Sequence, residues 1–319
     1  MSLAVVEPGF FTTVQDLGRR GYQRFGVPIS GAMDRFALAA ANILVGNSPG
    51  AAGLEATLVG PALQAQYDCL VAAAGSGGTG LEVEGRLLPP WMAIYVRRGW
   101  TVRLVCRPQG GWSYLAISGG LDVPSVMGSR STYVRGGFGG HGGRALQPGD
   151  ALPLGAPLTD IISLAGRSLP EAYRPAYRDA PRLAVLPGPQ QSAFTGKGLT
   201  AFLGSAYRIR PDSDRMGYRL QGASVPHQGG ADILSQGLVT GAVQVPASGQ
   251  PMIALSDCQA TGGYTQVAVV ATADLPLLAQ CPCDSGELRF YPITLEEAQQ
   301  RYRRQIALLV QGISPAQEG

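Results

Sequence analysis

The sequence contains little positive charge that could follow a nucleic-acid backbone. Lys197 is the only lysine among 319 residues, charged residues make up 15% of the chain, and the formal net charge is +3. The arginines are dispersed apart from two short clusters, Arg97–Arg98 and Arg301 with Arg303–Arg304. This argues against nucleic-acid binding as the main task. We expect both clusters to lie on a solvated face, with contact to an acidic partner as the alternative.

Long apolar runs and a disulfide framework are also missing. No window approaches 18 uninterrupted apolar residues, so no membrane-spanning helix is expected. The N-terminal segment lacks a basic region and is interrupted by Glu7, Pro8 and Gly9, unlike a signal peptide. The five cysteines are an odd number at irregular spacing. We therefore expect a cytoplasmic protein with free thiols.

No glycine-rich segment completes a nucleotide-binding motif. Gly75–Gly80 fits G-x-G-x-x-G, but the residues after it alternate like a strand, whereas a dinucleotide site needs a helix there. A hairpin turn is predicted instead. Gly137–Gly142 fits the same pattern and fails likewise. Gly196–Gly198 resembles the end of a P-loop but lacks the Ser or Thr that binds magnesium, so no P-loop is predicted.

Residues for metal, nucleophilic or biotin chemistry are equally scarce. Cys281 and Cys283 form a single C-x-C pair, and His141 and His227 are the only histidines. A structural zinc site needs ligand pairs on two knuckles, so no metal site is predicted. No G-x-S-x-G elbow is present, which leaves little material for a Ser-His-Asp triad. Lys197 does not lie in a Met-Lys-Met carrier loop, so no covalently attached biotin is expected.

Glycine and proline are abundant, with 45 and 24 residues. They separate short apolar segments, which suits short strands joined by tight turns. The pattern predicts a mainly β protein built from barrels or sandwiches. The predicted strands are Leu70–Ala74, Met92–Val96, Thr101–Cys106, Ser113–Ser118, Leu183–Leu186, Ala206–Ile209, Val243–Val245, Met252–Leu255, Val267–Ala271 and Glu287–Tyr291.

Two helices are predicted from their terminal signals. Ser30 is the expected N-cap of a helix that begins near Met33 and stops at Gly46. The capping box Thr294–Glu297 begins a second helix, which ends at Gly312.

The stretch 166–181 alternates proline with polar residues and suits an exposed connector. We expect an N-terminal β lobe over 1–165 and a C-terminal β lobe with the terminal helix over 182–312. A loose tail is expected over 313–319.

Polar side chains gather around a turn that contains Asp214, Arg215 and Arg219. The planar guanidinium fork of arginine suits a carboxylate or phosphate, so this turn is a candidate site. A turn cap and a salt bridge are the equal alternative. Ser30 and Asp34 lie at the start of the first predicted helix, where an anion could bind free N–H groups. A response to the helix dipole is the alternative for Asp34.

A second polar group lies beside glycine-rich backbone that a ligand can approach closely. Its neutral and acidic hydrogen-bonding groups suit the recognition of amides, ureas or lactams. Satisfying loop backbone is the alternative. The group comprises Gln244, Gln250, Asp257, Gln259, Gly262, Gly263 and Tyr264.

Several long motifs stand in order along nearly the whole chain. They are Thr12–Arg19, Gly26–Asp34, Ala41–Asn47, Leu54–Thr57, Gly128–Tyr133, Arg135–Gly140, Ser213–Gly217 and Gly262–Tyr264. Together they resemble the allophanate hydrolase subunit 2 family, whose members are also called KipA-like proteins, biotin-dependent carboxyltransferase-like proteins or 5-oxoprolinase C subunits. The sequence departs from the family pattern at Ala260 and Thr265, which replace Thr and Pro, and at Cys281–Asp284, which replaces a Pro-Gly-Asp turn.

The resemblance implies two cyclophilin-like β-barrel domains and two protein partners. One partner is of the allophanate-hydrolase-subunit-1 (KipI-like) type, and the other is similar to the lactam-utilisation protein. The implied reaction is the opening of 5-oxo-L-proline to L-glutamate with hydrolysis of ATP, which binds with Mg²⁺ in this chain or at a subunit interface. The implied alternatives are the carboxyltransferase component of a urea-carboxylase-like, biotin-dependent system and a non-enzymatic regulator of a KipI-like protein.

For the 5-oxoprolinase reaction, we expect this chain to activate the lactam by phosphoryl transfer. Asp214, Arg215 and Asp257 are the candidate catalytic residues. Arg215 and Arg219 would neutralise phosphate or hold the substrate carboxylate. Gln244, Gln259 or Asp257 would hold the ring amide. The remaining candidates for substrate binding are Gln250, Gly262, Gly263, Tyr264, Ser30 and Asp34.

Overall fold

The computed structural model describes residues 1–313 and confirms a mainly β protein. The chain divides into two compact units. Among the described residues, the first comprises 1–19, 30–175 and 307–313, and the second comprises 20–29 and 176–306. Nothing in the sequence pattern indicated that 20–29 belong to the second unit. No helix in the described part of the chain is long and apolar enough to cross a membrane.

The first unit contains two antiparallel sheets and one helix. Its strands are β1 Ser2–Glu7, β2 Phe11–Gln15, β3 Gly53–Thr57, β4 Ala62–Ala65, β5 Cys69–Gly75, β6 Gly80–Val83, β7 Arg86–Leu88, β8 Ala93–Val96, β9 Thr101–Val105, β10 Ser113–Ile117 and β11 Ala151–Pro153. The strand orders are β11-β1-β4-β9-β6-β7 and β2-β3-β10-β5-β8. Apolar side chains from both sheets form one core. In this unit the two sheets share one core, whereas the closed barrel lies in the second unit.

Helix α1 (Arg35–Leu44) packs against β3, β5 and β10. Its N-cap is Asp34, whose Oδ1 accepts a hydrogen bond from the N–H of Ala37 at 2.9 Å. The prediction of Ser30 as the cap is therefore wrong. Ser30 has φ of 55°, followed by Gly31 with φ of 86°, so the chain is still turning there. A cap residue needs extended backbone directly before the helix, and Asp34 has it.

Gly75–Gly80 connects β5 to β6 without an intervening helix, which agrees with the exclusion of a dinucleotide motif. The predicted hairpin is wrong, however, because β5 and β6 belong to different sheets. Both edges of β5 are already paired, with β10 and β8. The strand β6 therefore pairs with β9 in the other sheet.

The second unit contains a closed barrel of seven strands and a separate two-stranded sheet, β15-β18. The order around the barrel is β12-β19-β16-β17-β14-β13-β20. The rings of Phe202 and Phe290 stack at 4.5 Å within this unit, and both side chains are buried. The strands are β12 Arg182–Pro187, β13 Tyr207–Ile209, β14 Gly217–Gly222, β15 Asp232–Gly237, β16 Ala242–Gln244, β17 Met252–Ala254, β18 Thr261–Tyr264, β19 Gln266–Val270 and β20 Glu287–Pro292.

Three further helices follow: α2 (Gly196–Gly204), α3 (Leu275–Ala279) and α4 (Leu295–Gln311). The predicted capping box of α4 is confirmed. The N–H of Thr294 donates to Oε2 of Glu297 at 2.8 Å, and the N–H of Glu297 donates to Oγ1 of Thr294 at 3.2 Å. The helix stops before Gly312 as predicted, while most of the predicted tail lies outside the described residues. Short 3₁₀ turns occur at Gln23–Phe25, Val134–Gly136, Ile162–Leu164, Glu171–Tyr173, Gln191–Ala193 and Thr272–Asp274.

Candidate functional site

Arg215 and Asp257 form a buried ion pair in the second unit. Nε of Arg215 lies 2.8 Å from Oδ2 of Asp257, and Nη2 lies 3.2 Å from Oδ1. Their side chains are 7% and 9% exposed. The backbone N–H of Asp257 also donates to the carbonyl of Arg215 at 2.9 Å. This geometry fixes both groups, and the two charges offset each other.

The loop 255–260, between β17 and β18, holds Asp257 between two other segments. On one side, the N–H of Leu255 donates to the carbonyl of Met216 at 3.0 Å. On the other side, the segment between β15 and β16 contacts the two ends of the loop. There the N–H of Leu238 donates to the carbonyl of Ala260 at 2.9 Å, and that of Gly241 donates to the carbonyl of Ala254 at 2.8 Å. The loop that carries Asp257 is therefore hydrogen-bonded near its ends to Met216 and to the segment 238–241.

Gln244 and Gly262 meet at the edge of this region. Gln244 is 4% exposed, and its Nε2 donates to the carbonyl of Tyr264 at 3.4 Å. A Cβ atom at position 262 would lie 2.5 Å from the same Nε2. Glycine is therefore required at 262 for the amide of Gln244 to occupy its position. Gly263 also lies on β18, while Tyr264 and Gln259 are exposed.

Three of the predicted site residues make structural contacts on the surface of the second unit. The exposed Asp214 accepts the N–H of Met216 at 2.8 Å, as a turn cap does. Gln250 accepts the N–H of Gly222 at 2.9 Å and donates to its carbonyl at 3.2 Å. The exposed Arg219 has its Nε 3.7 Å from Asp212. These contacts match the structural alternatives that the sequence left open, and the catalytic and binding roles of the three residues stay predictions.

Ser30 and Asp34 belong to the first unit, whereas the other predicted site residues belong to the second. Both are fully buried. The N–H of Asp34 donates to the hydroxyl of Tyr114 at 2.7 Å. That hydroxyl donates in turn to Oε2 of Glu55 at 2.8 Å, and the same oxygen accepts the N–H of Met33 at 2.7 Å. Asp34 therefore has a structural role at the start of α1, and its substrate role stays a prediction.

Sequence reasoning missed the buried hydrogen bond between the Tyr114 hydroxyl and the Glu55 carboxylate in the first unit. Burial, and then the negative charges of Glu55 and Asp34, raise the pKa of Tyr114 well above its ordinary value. Both side chains are 0% exposed, so the phenol stays protonated and serves as a donor. The available signal was an acidic residue between two apolar ones, Leu54 and Ala56, in a segment too apolar to be a surface loop.

The N-terminal motif residues Asp16 and Arg19 hold a distant loop in place. Asp16 accepts hydrogen bonds from the hydroxyl of Ser129 at 2.7 Å and from the N–H of Arg130 at 2.6 Å. Arg19 donates to the carbonyl of Ser131, and its guanidinium lies 4.9 Å from the ring centroid of Phe138. These contacts account structurally for much of the motif Thr12–Arg19.

Neither of two glycine-rich segments, Gly75–Gly80 and Gly196–Gly198, has the surroundings of a phosphate-binding loop. Gly75–Gly80 enters a strand, and at the start of α2 the hydroxyl of Thr195 already accepts the N–H of Gly198 at 2.9 Å. No group of three or more His, Cys, Asp or Glu side chains able to hold a metal ion occurs within residues 1–313.

Comparison with known proteins places these features in a family. Residues 25–292 match the model of the carboxyltransferase domain, subdomain A and B. The chain is 38% identical to the C subunit of 5-oxoprolinase from Escherichia coli over 312 residues, which cover 96% of this chain and 97% of that protein. It is 32% identical to urea amidolyase of Saccharomyces cerevisiae over 314 residues, covering 93% of this chain and 17% of that protein.

The solved structures extend this result. The crystal structure of urea amidolyase from K. lactis matches with a TM-score of 0.89 and 29% identity, covering 97% of this chain. A second solved structure matches with a TM-score of 0.80. The chain spans only 20% of the urea amidolyase structure and 55% of this second one. From the family match and the near-complete overlap with the E. coli 5-oxoprolinase protein, the chain belongs to the family of carboxyltransferase domains with subdomains A and B.

Proposed function

We propose that this chain is the C-type subunit of an ATP-dependent 5-oxoprolinase, which opens 5-oxo-L-proline to L-glutamate. The observation that carries this proposal is the 38% identity to the C subunit of E. coli 5-oxoprolinase over almost the whole of both proteins. The E. coli protein is named as a subunit, which implies protein partners for it. We propose the same two partners for this chain that its motifs implied, the allophanate-hydrolase-subunit-1 type and the lactam-utilisation type.

The buried polar region of the second unit suits a neutral amide. A lactam resists hydrolysis because the nitrogen lone pair stabilises its carbonyl, so catalysis must polarise or activate the carbonyl oxygen. Donors held at fixed positions in a site with little water stabilise charge that develops on such an oxygen. Arg215 is held rigidly by Asp257, and Gln244 lies beside the glycine backbone of β18. We assign to these three residues the binding and orientation of the ring amide.

ATP supplies the activation of the lactam in the proposed reaction. We propose that ATP binds with Mg²⁺, in this chain or at a subunit interface. No chemical step is assigned to Arg219 or Asp214, whose side chains are exposed.

Glutamate release from 5-oxoproline and ATP tests the proposal, with the three subunits reconstituted and each omitted in turn. Release should require all three. Arg215→Lys keeps the charge but loses the two-point contact with Asp257, and it should reduce release by on the order of 100-fold through misplacement of the site. Arg208→Ala, at an exposed arginine whose Nε lies 3.5 Å from Glu287, is the matched control and should be unaffected. No release from any combination contradicts the proposal.

Urea amidolyase relatives and the family match favour a second candidate, a carboxyltransferase component of a biotin-dependent system. In that case biotin would arrive on a partner protein, and the same amide-binding groups would hold urea or a small amide. Carboxylation of urea by this chain with a biotin carboxylase and a biotin carrier would support this candidate. If urea is not carboxylated while the reconstituted subunits release glutamate from 5-oxoproline, the carboxyltransferase candidate is rejected.

A further inference from the structure

Two polar atoms in the second unit are buried and make no hydrogen bond within the described residues. They are Nε2 of Gln236 and Oγ1 of Thr240. Folded proteins pair nearly all of their buried polar groups, because an unpaired donor has lost its hydrogen bonds to water without replacement. Two such atoms four residues apart in one segment therefore indicate a role beyond folding.

Both residues lie on the segment that flanks the loop 255–260. Leu238 and Gly241, which bind the ends of that loop through their N–H groups, are neighbours of Gln236 and Thr240 in the chain. Asp257, which forms the ion pair with Arg215, belongs to that loop. The unpaired donors therefore belong to the same region as the candidate site.

The chain around the two donors contributes to a small buried apolar cluster. Leu238 and Ala242, two residues before and after Thr240, belong to it together with Ala254 and Cys258. Burial, and then the charge of Asp257, raise the pKa of the Cys258 thiol to about 11, so the thiol carries no charge at neutral pH. Apolar walls with a few polar groups are typical of sites for small molecules. An uncharged, apolar neighbourhood of this kind favours a neutral polar group on a ligand over an ion.

The strand register also sets Gln236 apart. Asp232 pairs with Tyr264 and Gln236 with Gly262, so the pairing advances four residues on β15 against two on β18. Such irregularities redirect side chains and are frequent next to active sites. The residue paired with Gln236 is a glycine, so no side chain stands opposite it on β18.

We propose that Nε2 of Gln236 and Oγ1 of Thr240 donate hydrogen bonds to the carbonyl oxygen of a small amide, lactam or urea. Both are binding residues in this proposal, and neither exchanges a proton with the ligand. The proposal deepens the proposed function, since it rests on an amide substrate in the second unit. It adds two residues that the motifs of the chain did not contain.

Thr240→Val tests the proposal, because valine keeps the shape of threonine and removes only the hydroxyl. If the hydroxyl has no partner in the folded protein, Thr240→Val should leave the Tm equal to or above that of the wild type. Thr265→Val is the matched control in the same unit, since Oγ1 of Thr265 lies 2.9 Å from Nε2 of His227 and its loss should lower the Tm. Gln236→Met is the corresponding change at the amide.

Ligand binding is the second readout, measured by calorimetry with 5-oxoproline and with urea on the reconstituted assembly. Each of Thr240→Val and Gln236→Met should weaken binding about 3- to 10-fold, the effect of one neutral hydrogen bond. If urea binds and 5-oxoproline does not, and both variants weaken urea binding, this inference holds while the 5-oxoprolinase proposal fails. The inference is overturned if Thr240→Val lowers the Tm as far as Thr265→Val does, if both variants bind normally, or if the wild type binds neither compound.

Discussion

Nη2 of Arg301 on α4 lies 3.1 Å from Oδ1 of Asp274, a carboxylate that is only 2% exposed. The N–H of Ala184 donates to the other oxygen of Asp274 at 2.7 Å. Burial nevertheless raises the pKa of Asp274 above its ordinary value, because desolvation outweighs the hydrogen bond from Ala184 and the charge of Arg301. The terminal helix is therefore attached to the second unit through a buried charge that depends on its partner.

Arg301→Met should lower the free energy of unfolding by about 1–3 kcal/mol at pH 7, since it leaves a buried carboxylate without its compensating charge. The loss should be smaller at pH 4. An acid whose folded pKa is raised contributes stability while it is protonated, and that contribution is lost as the pH rises through the folded pKa. Urea denaturation at both pH values measures the effect. Arg304→Met, at an exposed position of the same helix, should change little, and equal losses in both variants would contradict the prediction.

Asp150 should make the free energy of unfolding of the first unit fall at low pH. The two contacts with Arg144, both 2.8 Å, are the largest cause that lowers the pKa of Asp150 to about 2, followed by the N–H of Gln147 and the charge of His141. A carboxylate with a lowered folded pKa contributes stability above its unfolded pKa, and that contribution is lost as the pH falls from about 4 to about 2. Asp150→Asn should remove about 1–2 kcal/mol at pH 7 and flatten this part of the stability curve. An unchanged curve for the variant would refute the assignment.

Gly262→Ala should disturb the position of Gln244. The new Cβ would lie 2.5 Å from Nε2 of Gln244, so the amide must move and lose its hydrogen bond to the carbonyl of Tyr264, at a cost of about 0.5–1.5 kcal/mol in unfolding free energy. In a protein that already carries Gln244→Ala, the change Gly262→Ala should cost much less, because the amide it displaces is gone. A double-mutant cycle in urea denaturation measures this difference. Gly237→Ala on the paired strand has nothing within 4 Å of its new Cβ and serves as the control. Additive costs in the cycle would show that the two residues do not interact.

Tyr114→Phe should weaken the attachment of α1. The change removes the hydroxyl that accepts the N–H of Asp34 and donates to Glu55, both at buried positions. We expect a loss of about 1–3 kcal/mol in unfolding free energy, measured by urea denaturation. Tyr95→Phe removes a comparable 2.6 Å hydrogen bond, but to the exposed Asp68, and should cost less than half as much. Equal costs would show that burial of the Tyr114 cluster adds nothing.

Much of the fold follows from local sequence patterns. Each of the ten predicted strands agrees with an observed strand to within one residue at either end. Strands without the apolar pattern were missed, such as β18 with its two glycines and β3 with a buried glutamate at its centre. In both cases tertiary contacts overrode weak β propensity, since a strand can form wherever a neighbouring strand satisfies its backbone.

The candidate site was predicted less completely than the fold. Arg215 and Asp257 were both named from their motifs, but their pairing across 42 residues was not foreseen. Asp214 and Gln250 were named as well, and the structure shows Asp214 bonded to the nearby backbone of Met216 and Gln250 to the backbone of Gly222. Gln236 and Thr240 carried no motif, because their distinguishing property is an unpaired buried donor, which exists only in the folded chain.

The sequence by itself determined the helix end at Gly312, the capping box of Thr294 and Glu297, the many short strands and the family. Those features depend on residues close together in the chain or on motifs in order. Only the tertiary structure decided that Asp34 rather than Ser30 caps α1 and which polar side chains meet. The pairing of distant side chains depends on strand register and burial, and one residue of register moves every side chain of a strand to the opposite face.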